Sequence, residues 1–520
     1  VYAAYQAAVE HEGAPTVILA KTIKGYGLGE AGEGRNVTHQ QKKLNEQELR
    51  HFRSRFGIPI PDSQIAQMPF YRPDHDSEEM KYLRERRRAL GGLLPSRSVS
   101  VPVHRPPRKD FYLEFMQGSG KREVATTMVM VHLLGKLLGD RNLGRYIVPI
   151  VPDEARTFGM EALFRKIGIY SHVGQNYEPV DKESLLYYKE AKDGQILEEG
   201  ITEAGAMSSF IAAGTAYSTF GVNMIPFYFF YSMFGFQRIG DLIWAAGDAQ
   251  ARGFLLGATA GRTTLAGEGL QHQDGHSHVL ALTNPSVEAY DPGFAYEVAI
   301  IVRDGLRRML EDGDNVVYYL TLMNEFYTMP PMPKNAEKGI LKGIYRFRGA
   351  ANKRARIRAH LLGSGSILNE ALKAQQILEA DYGVATDVWS VTSYKKLYED
   401  AVDTERWNLW HPHRAPRKSF IEEQLSGAQG IFVAASDYLK ALPAMMAKWV
   451  PGRLLLLGTD GYGRSESRAA LRDFFEVDAR HIAYTALCGL AAEKRIEANV
   501  LKKARQALEI DPEKLNPRRH

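Results

Sequence analysis

Cysteine is almost missing from this sequence. Cys488 is the only one among 520 residues, which excludes a disulfide within the chain and fits a reducing compartment. Long apolar runs are missing too: the best, residues 224–230, is interrupted by Pro226 and falls far short of the roughly 18 residues a membrane span needs. Neither charge sign dominates. Lys plus Arg is 66 against 61 for Asp plus Glu, a net charge of +5, too small an excess over this length to indicate a nucleic-acid partner. The opening residues, Val1-Tyr-Ala-Ala-Tyr-Gln-Ala-Ala-Val-Glu10, have neither the basic start nor the apolar core of a signal peptide. Together these absences predict a cytoplasmic location. The chain also lacks an initiator Met and opens as a helix already under way, so it is expected to be a piece of a longer protein.

What is present is an ordinary globular balance, 44% apolar and 24% charged, long enough for about three domains of roughly 150 residues each. Residues 1–70 read as the end of a domain. A helix leads to Pro15, residues 16–24 form an apolar run of buried-strand type, a glycine-rich loop spans 25–34, and a polar helix covers about 38–56. Residues 71–110 read as a linker. Its Arg84-Glu-Arg-Arg-Arg88 run reads as a solvated helix face, and Pro, Ser, Arg and Val alternate over 95–107. Over 111–332, strand-length apolar runs (146–151, 224–231, 253–258 and 316–321) alternate with amphipathic helical stretches near 121–138, 203–218, 235–252 and 293–310. That alternation predicts an α/β fold with a parallel sheet flanked by helices. A further α/β domain occupies 333–520, with strands starting near 359, 386, 430 and 454 and a helix ending at Tyr382.

Four segments carry chemistry. Gly27-Leu-Gly29-Glu-Ala-Gly32 matches GxGxxG after the 16–24 run, but the loop continues to Asn36 and brings Glu30 and Glu33, carboxylates that would repel a pyrophosphate. His272-Gln-Asp274-Gly-His276-Ser-His278 is open to three readings: a metal cluster, structural hydrogen bonding, or a loop presenting an imidazole to a substrate. Glu203 opens a helix of small residues (Ala204, Gly205, Ala206, Ser208, Ser209, Ala212, Ala213, Gly214) behind Thr202 as N-cap. It reads either as a carboxylate complementing the helix dipole or as a catalytic acid. Pro226-Phe-Tyr-Phe-Phe-Tyr231-Ser-Met-Phe-Gly-Phe236 ends an aromatic strand in a turn, where open α/β sheets bind ligands and where a ring can stack.

Four blocks together resemble one family. They are Ile150-Val-Pro-Asp-Glu-Ala-Arg156 continuing to Gly168, Tyr231-Ser-Met-Phe-Gly-Phe-Gln-Arg-Ile-Gly-Asp241, Gly267-Glu-Gly-Leu-Gln-His272 through His278, and Gly458-Thr-Asp-Gly-Tyr-Gly-Arg464. They resemble, in order over essentially the whole chain, the homodimeric E1 component of the pyruvate dehydrogenase complex. The resemblance implies a thiamine-diphosphate-binding, transketolase-like fold. Residues 1–70 would be the end of the diphosphate-binding domain, 111–332 the pyrimidine-binding domain and 333–520 the C-terminal domain. It further implies oxidative decarboxylation of pyruvate, reductive acetylation of the lipoyl group of an E2 dihydrolipoyl acetyltransferase, and a homodimer. Another 2-oxoacid dehydrogenase E1, a transketolase-like enzyme, or a non-catalytic scaffold subunit are the alternatives.

Residue by residue, the resemblance makes Glu203 the acid that hydrogen-bonds the aminopyrimidine N1′. Such an acid favours the imino tautomer that removes the thiamine C2 proton, and it needs a dry pocket to do so. Tyr231 and Phe234 would line that pocket, Ile201 would back it, and Asp153 and Glu154 would lie near it. His272 would stand beside the reacting carbon, Tyr177 on the substrate side, and His39 would accept the lipoyl group. One departure stands out. The family binds Mg²⁺ and the diphosphate through Gly-Asp-Gly and a later Asn, yet no Gly-Asp-Gly occurs here. The metal ligands are therefore expected outside this chain, which by itself should bind thiamine diphosphate poorly and turn over little pyruvate.

Overall fold

The computed structural model describes the chain except residues 41–42, 93–100, 102–103, 153–154, 181–187 and 267. Its two compact units, Val1–Ser96 and Arg97–His520, are taken separately.

The first unit carries helices Tyr2–Glu10, Glu46–Arg55 and Glu78–Ala89, none of which has a fully buried residue. The helix expected over 38–56 starts later, at Glu46. There Asn45 and Glu48 cap each other's backbone amides at 2.9 and 2.7 Å, a capping box, while Asn36–Gln40 forms a short 3-10 turn instead. The expected strand over 16–24 does not form: these residues join no ladder among the described residues, and Val17 and Leu19 are 79% and 92% exposed. An apolar run becomes a strand only where a neighbour accepts its backbone hydrogen bonds. The GxGxxG amides are spoken for internally. Gly27 and Gly29 both donate to the Glu33 carboxylate at 3.3 Å, and Arg55 donates to the same oxygen at 2.6 Å. A side chain of the loop fills the place a phosphate would take.

The second unit is built on two large sheets, beside two short two-stranded ladders, Glu123–Val124 with Tyr327–Thr328 and Ile169–Tyr170 with Glu190–Ala191. The first has six parallel strands: β1 (Ile147–Val151), β2 (Leu197–Glu198), β3 (Ile225–Tyr231), β4 (Gly253–Ala258), β5 (Val287–Tyr290) and β6 (Val317–Thr321), in spatial order β2-β1-β3-β4-β6-β5. Strand β3 shows why these runs read as continuously apolar. Phe227, Phe229 and Tyr231 point to the face covered by helices Thr126–Leu138 and Ala295–Arg307, while Tyr228 and Phe230 point to the face covered by Glu203–Thr219 and Phe236–Asp248. Successive side chains alternate faces, so a strand buried on both sides must be apolar throughout. Each ring so buried contributes about 1.5–3 kcal/mol.

The second sheet has five strands: β7 (Ile344–Arg348), β8 (Arg358–Gly363), β9 (Ala385–Val391), β10 (Ile431–Ala435) and β11 (Leu454–Leu457), in order β7-β9-β8-β10-β11. Only β7 runs antiparallel. Helices Ile367–Tyr382 and Ala479–Ala492 cover one face, and Tyr394–Trp410 with Phe420–Gln424 the other. A buried polar seam joins the sheets. Thr263 donates to Asp437 through its amide and its hydroxyl at 2.8 and 2.7 Å, and Lys395 donates to the Ala281 carbonyl at 3.0 Å. No helix of the described residues is long and apolar enough to cross a membrane.

Candidate active site

The side chains of interest gather at the carboxyl ends of the six-stranded sheet, where loops leave the strands and where open α/β sheets bind ligands. Glu203 stands at the head of helix Glu203–Thr219, directly after β2. The Thr202 hydroxyl accepts from the Gly205 amide at 3.2 Å and satisfies the first turn. The run of small residues in this helix has a packing reason: a Cβ on Gly214 would lie 2.6 Å from the Arg252 carbonyl oxygen, and the Arg252 amide donates to the Gly214 carbonyl. The helix lies that close to the segment leading into β4.

After Tyr231, strand β3 passes through the short turn Ser232–Phe234 into helix Phe236–Asp248. Gly235 makes the turn possible, because a Cβ there would sit 2.3 Å from the Phe230 ring. The turn sets Phe234 beside Tyr231, with ring centroids 5.9 Å apart and edge to face. The loop after β4 brings the His272 imidazole to 4.7 Å from Tyr231 and 5.2 Å from Phe234. Phe158 closes the back of Tyr231 at 5.5 Å. Glu203 is 8% exposed, and its Oε1 accepts a hydrogen bond from Arg238 at 3.2 Å. The Arg238 guanidinium in turn lies 3.7 Å over the Phe234 ring. Arg238 thus ties the acid to the aromatic wall. The sequence alone does not reveal this pairing, because the partners are 35 residues apart; its one signal is the place of Arg238 in the first turn of a helix beginning at the aromatic turn.

The second sheet's domain holds the His272 loop. The Arg464 amide donates to Gln273 Oε1 at 2.6 Å, and a Cβ on Gly463 would meet the Leu270 carbonyl at 2.6 Å, so the Gly458–Arg464 motif packs directly under this loop. The three histidines separate. His272 Nδ1 is buried, has no hydrogen-bond partner among the described residues and lies 3.9 Å from Glu268 Oε2. His276 bonds Gln237 at 2.8 Å, and His278 bonds the Thr321 hydroxyl at 2.9 Å. Asp274 accepts from the His276 and Ser277 amides at 2.9 and 3.0 Å. Of the three readings of this segment, the metal cluster is the one the geometry does not support: among the described residues, the only close grouping of metal-type donors is Asp473, Asp478 and His481. Burial pushes the His278 imidazole down to about 4 against the opposing pull of Asp274, so it is a neutral core histidine at neutral pH.

The remaining expected residues lie apart from this cluster. Ile201 is 75% exposed and does not back the pocket within this chain, because it precedes the helix cap on an open bend. Tyr177 donates to Glu190 at 2.7 Å, and Glu190 lines a separate hollow of about 590 Å³ that reaches Gly200. His39 belongs to the first unit, exposed on the Asn36–Gln40 turn. Asp153 and Glu154 lie outside the described residues.

Comparison with solved structures defines the class first. Transketolase from Leishmania mexicana superposes with a TM-score of 0.62 at 15% identity, covering 94% of this chain and 64% of that one. Transketolase from Campylobacter jejuni gives 0.59 at 15% identity, covering 90% and 62%. The fold is transketolase-like. Residues 108–330 match the pyruvate dehydrogenase E1 component middle domain, and residues 343–478 the transketolase-like C-terminal domain. Proteins named pyruvate dehydrogenase E1 component are 54% identical in Pseudomonas aeruginosa over 99% of this chain, 50% in Escherichia coli K12 over 100%, and 50% in Mycobacterium tuberculosis over 98%. This chain belongs to the pyruvate dehydrogenase E1 component family, and it spans 58%, 58% and 56% of the lengths of those three relatives.

Proposed function

We propose that this chain provides the aminopyrimidine side of a thiamine-diphosphate site in a cytoplasmic E1 enzyme. That enzyme would decarboxylate pyruvate oxidatively and acetylate the lipoyl group of an E2 dihydrolipoyl acetyltransferase, acting as a homodimer. The domain assignment goes with it: 1–70 as the end of the diphosphate-binding domain, 71–110 as linker, 111–332 as the pyrimidine-binding domain and 333–520 as the C-terminal domain. The observation that carries this reading is the buried carboxylate of Glu203 linked through Arg238 to the Phe234, Tyr231 and His272 rings.

The residues fit the group. A flat heteroaromatic ring with polar edges suits a wall of Tyr231 and Phe234, and the unpartnered, buried His272 Nδ1 offers a polar atom that nothing among the described residues satisfies. When bound, thiamine diphosphate supplies a carbon nucleophile for the 2-oxo carbon and an electron sink for the loss of carbon dioxide. Glu203 holds the proton of a hydrogen bond to the ring nitrogen, in a place where water competes poorly. Tyr231 and Phe234 exclude that water. Arg238, with its side chain 51% exposed, has room to leave Glu203 Oε1 when a ligand takes its place. His272 acts beside the reacting carbon, Tyr177 on the substrate side, and His39 on the lipoyl group. Mg²⁺ falls to oxygen ligands of a complete diphosphate-binding domain.

The test is E203Q in protein that carries such a domain. Turnover of pyruvate should fall about 100-fold or more with unchanged circular dichroism; activity within a few-fold of the parent would refute the role. Calorimetry on the 520-residue chain with Mg²⁺ should show weak thiamine-diphosphate binding at best, and tight, Mg²⁺-dependent binding would overturn the assignment of the metal ligands elsewhere.

A further inference from the structure

The segment Arg346-Phe-Arg-Gly-Ala-Ala-Asn-Lys-Arg-Ala-Arg-Ile-Arg358 holds six cations and no carboxylate. It runs along the antiparallel edge strand β7, turns, and ends on the first residue of β8. Its side chains border a cavity of about 720 Å³ at the amino ends of β8, β9 and β10, lined by Arg346, Lys353, Arg358, His360, Asp387 and Trp389 and closed by residues 424–429. That volume is typical of a small-molecule site, about 300–1,000 Å³.

The charge balance of the wall is uneven. Arg358 donates to Asp387 Oδ2 at 2.8 Å, and Asp387 Oδ1 accepts the Ala350 amide at 3.0 Å, so the one carboxylate is already committed. Neither Arg346 nor Lys353 forms an ion pair among the described residues, and neither do Arg348, Arg354 and Arg356 on the same segment. The floor is fixed and uncharged. Trp389 Nε1 donates to His360 Nδ1 at 3.4 Å, which leaves Nε2 to donate to the Gln429 carbonyl at 3.2 Å. Burial pushes the His360 imidazole down, with Arg358 and Arg346 adding to that effect and Asp387 opposing it. Unpaired like charges converging on one concavity repel each other and are relieved by an anion. A planar guanidinium grips phosphate oxygens in pairs, while an ammonium acts as a point charge. A lone inorganic phosphate would leave most of the volume unfilled.

We propose that this cavity binds a small molecule carrying a diphosphate, with Arg346 and Lys353 as its direct anion partners and Arg358 as the cation that closes the wall. The inference does not depend on Glu203 or on the thiamine reading. Its test is titration of the 520-residue chain with ADP, read by calorimetry and by tryptophan fluorescence, since Trp389 stands at the floor. ADP should bind, inorganic pyrophosphate should displace it, and added salt should weaken it. R346E/K353E should weaken it about tenfold or more, and the milder R346Q/K353Q should weaken it in the same direction. E203Q should bind as the parent does, which separates this site from any thiamine-diphosphate pocket. No response to millimolar ADP, equal affinity in the folded R346E/K353E variant, or ADP that pyrophosphate cannot displace would each overturn the proposal.

Discussion

The two large sheets of the second unit present their candidate sites at opposite ends and by opposite means. At the carboxyl ends of the first sheet, one buried carboxylate is tied to a cluster of rings through Arg238, its one ion-pair partner among the described residues, which comes from a neighbouring helix. At the amino ends of the second, cations crowd an open cavity whose only carboxylate is spent on Arg358. Enclosure in the first case makes one proton's position matter, because low dielectric magnifies a single charge. Surplus charge in the second makes an anion's arrival matter. On the two readings proposed above, similar architecture serves acid chemistry where side chains exclude water, and anion capture where they leave it.

Several outcomes would sharpen or break that contrast. E203Q carries the largest expected effect, the loss of about 100-fold or more in turnover given above, while ADP binding at the second sheet stays as it was; loss of both together would break the contrast. Next is H278Q. His278 is held by Thr321, Tyr319 and Tyr438 with Asp274 nearby. Its folded value of about 4 lies below its ordinary one, so between the two the unfolded chain binds the extra proton. The stability it contributes is complete above its ordinary value and is lost as pH falls toward 4, by about 1.4 kcal/mol per pH unit. Urea midpoints from pH 7 to 4 should fall less steeply in H278Q than in the parent, and equal slopes would refute the burial argument. G235A follows: the added methyl meets the Phe230 ring, at a cost of about 1–3 kcal/mol in urea unfolding, and a neutral result would mean the aromatic turn is slack. The smallest effect is the coupling of Arg238 to Glu203. A double-mutant cycle with R238M and E203Q should give about 0.5–1 kcal/mol, since the arginine is half in solvent.

The sequence reading succeeds and fails for physical reasons. Strands β3 and β4 are legible because burial on both faces demands unbroken apolar runs. Strand β7 is not, since an edge strand bearing Arg346 and Arg348 looks like any charged loop. Strand β5 hides for a different reason: it is four residues long, behind Pro285 and around Glu288. Residues 16–24 mislead in the other direction, because an apolar run advertises burial but not the partner that would supply it. In the site, the resemblance names Glu203, Tyr231, Phe234 and His272, which the fold brings together. It says nothing of Arg238 on the acid, and its implication for Ile201 meets an exposed side chain. The small residues of the helix that Glu203 opens find a packing reason only in the fold: at Gly214 the Arg252 backbone lies against the helix.

The central claim of the proposed function is that Glu203, beside the Tyr231 and Phe234 rings, speeds removal of the thiamine C2 proton. Deuterium exchange at C2 of thiamine diphosphate, followed by proton NMR in cofactor-saturated protein with a complete diphosphate domain, tests it without substrate or E2. The account predicts exchange about 100-fold slower in E203Q than in the parent while the cofactor remains bound. Exchange at the parental rate in E203Q would contradict it.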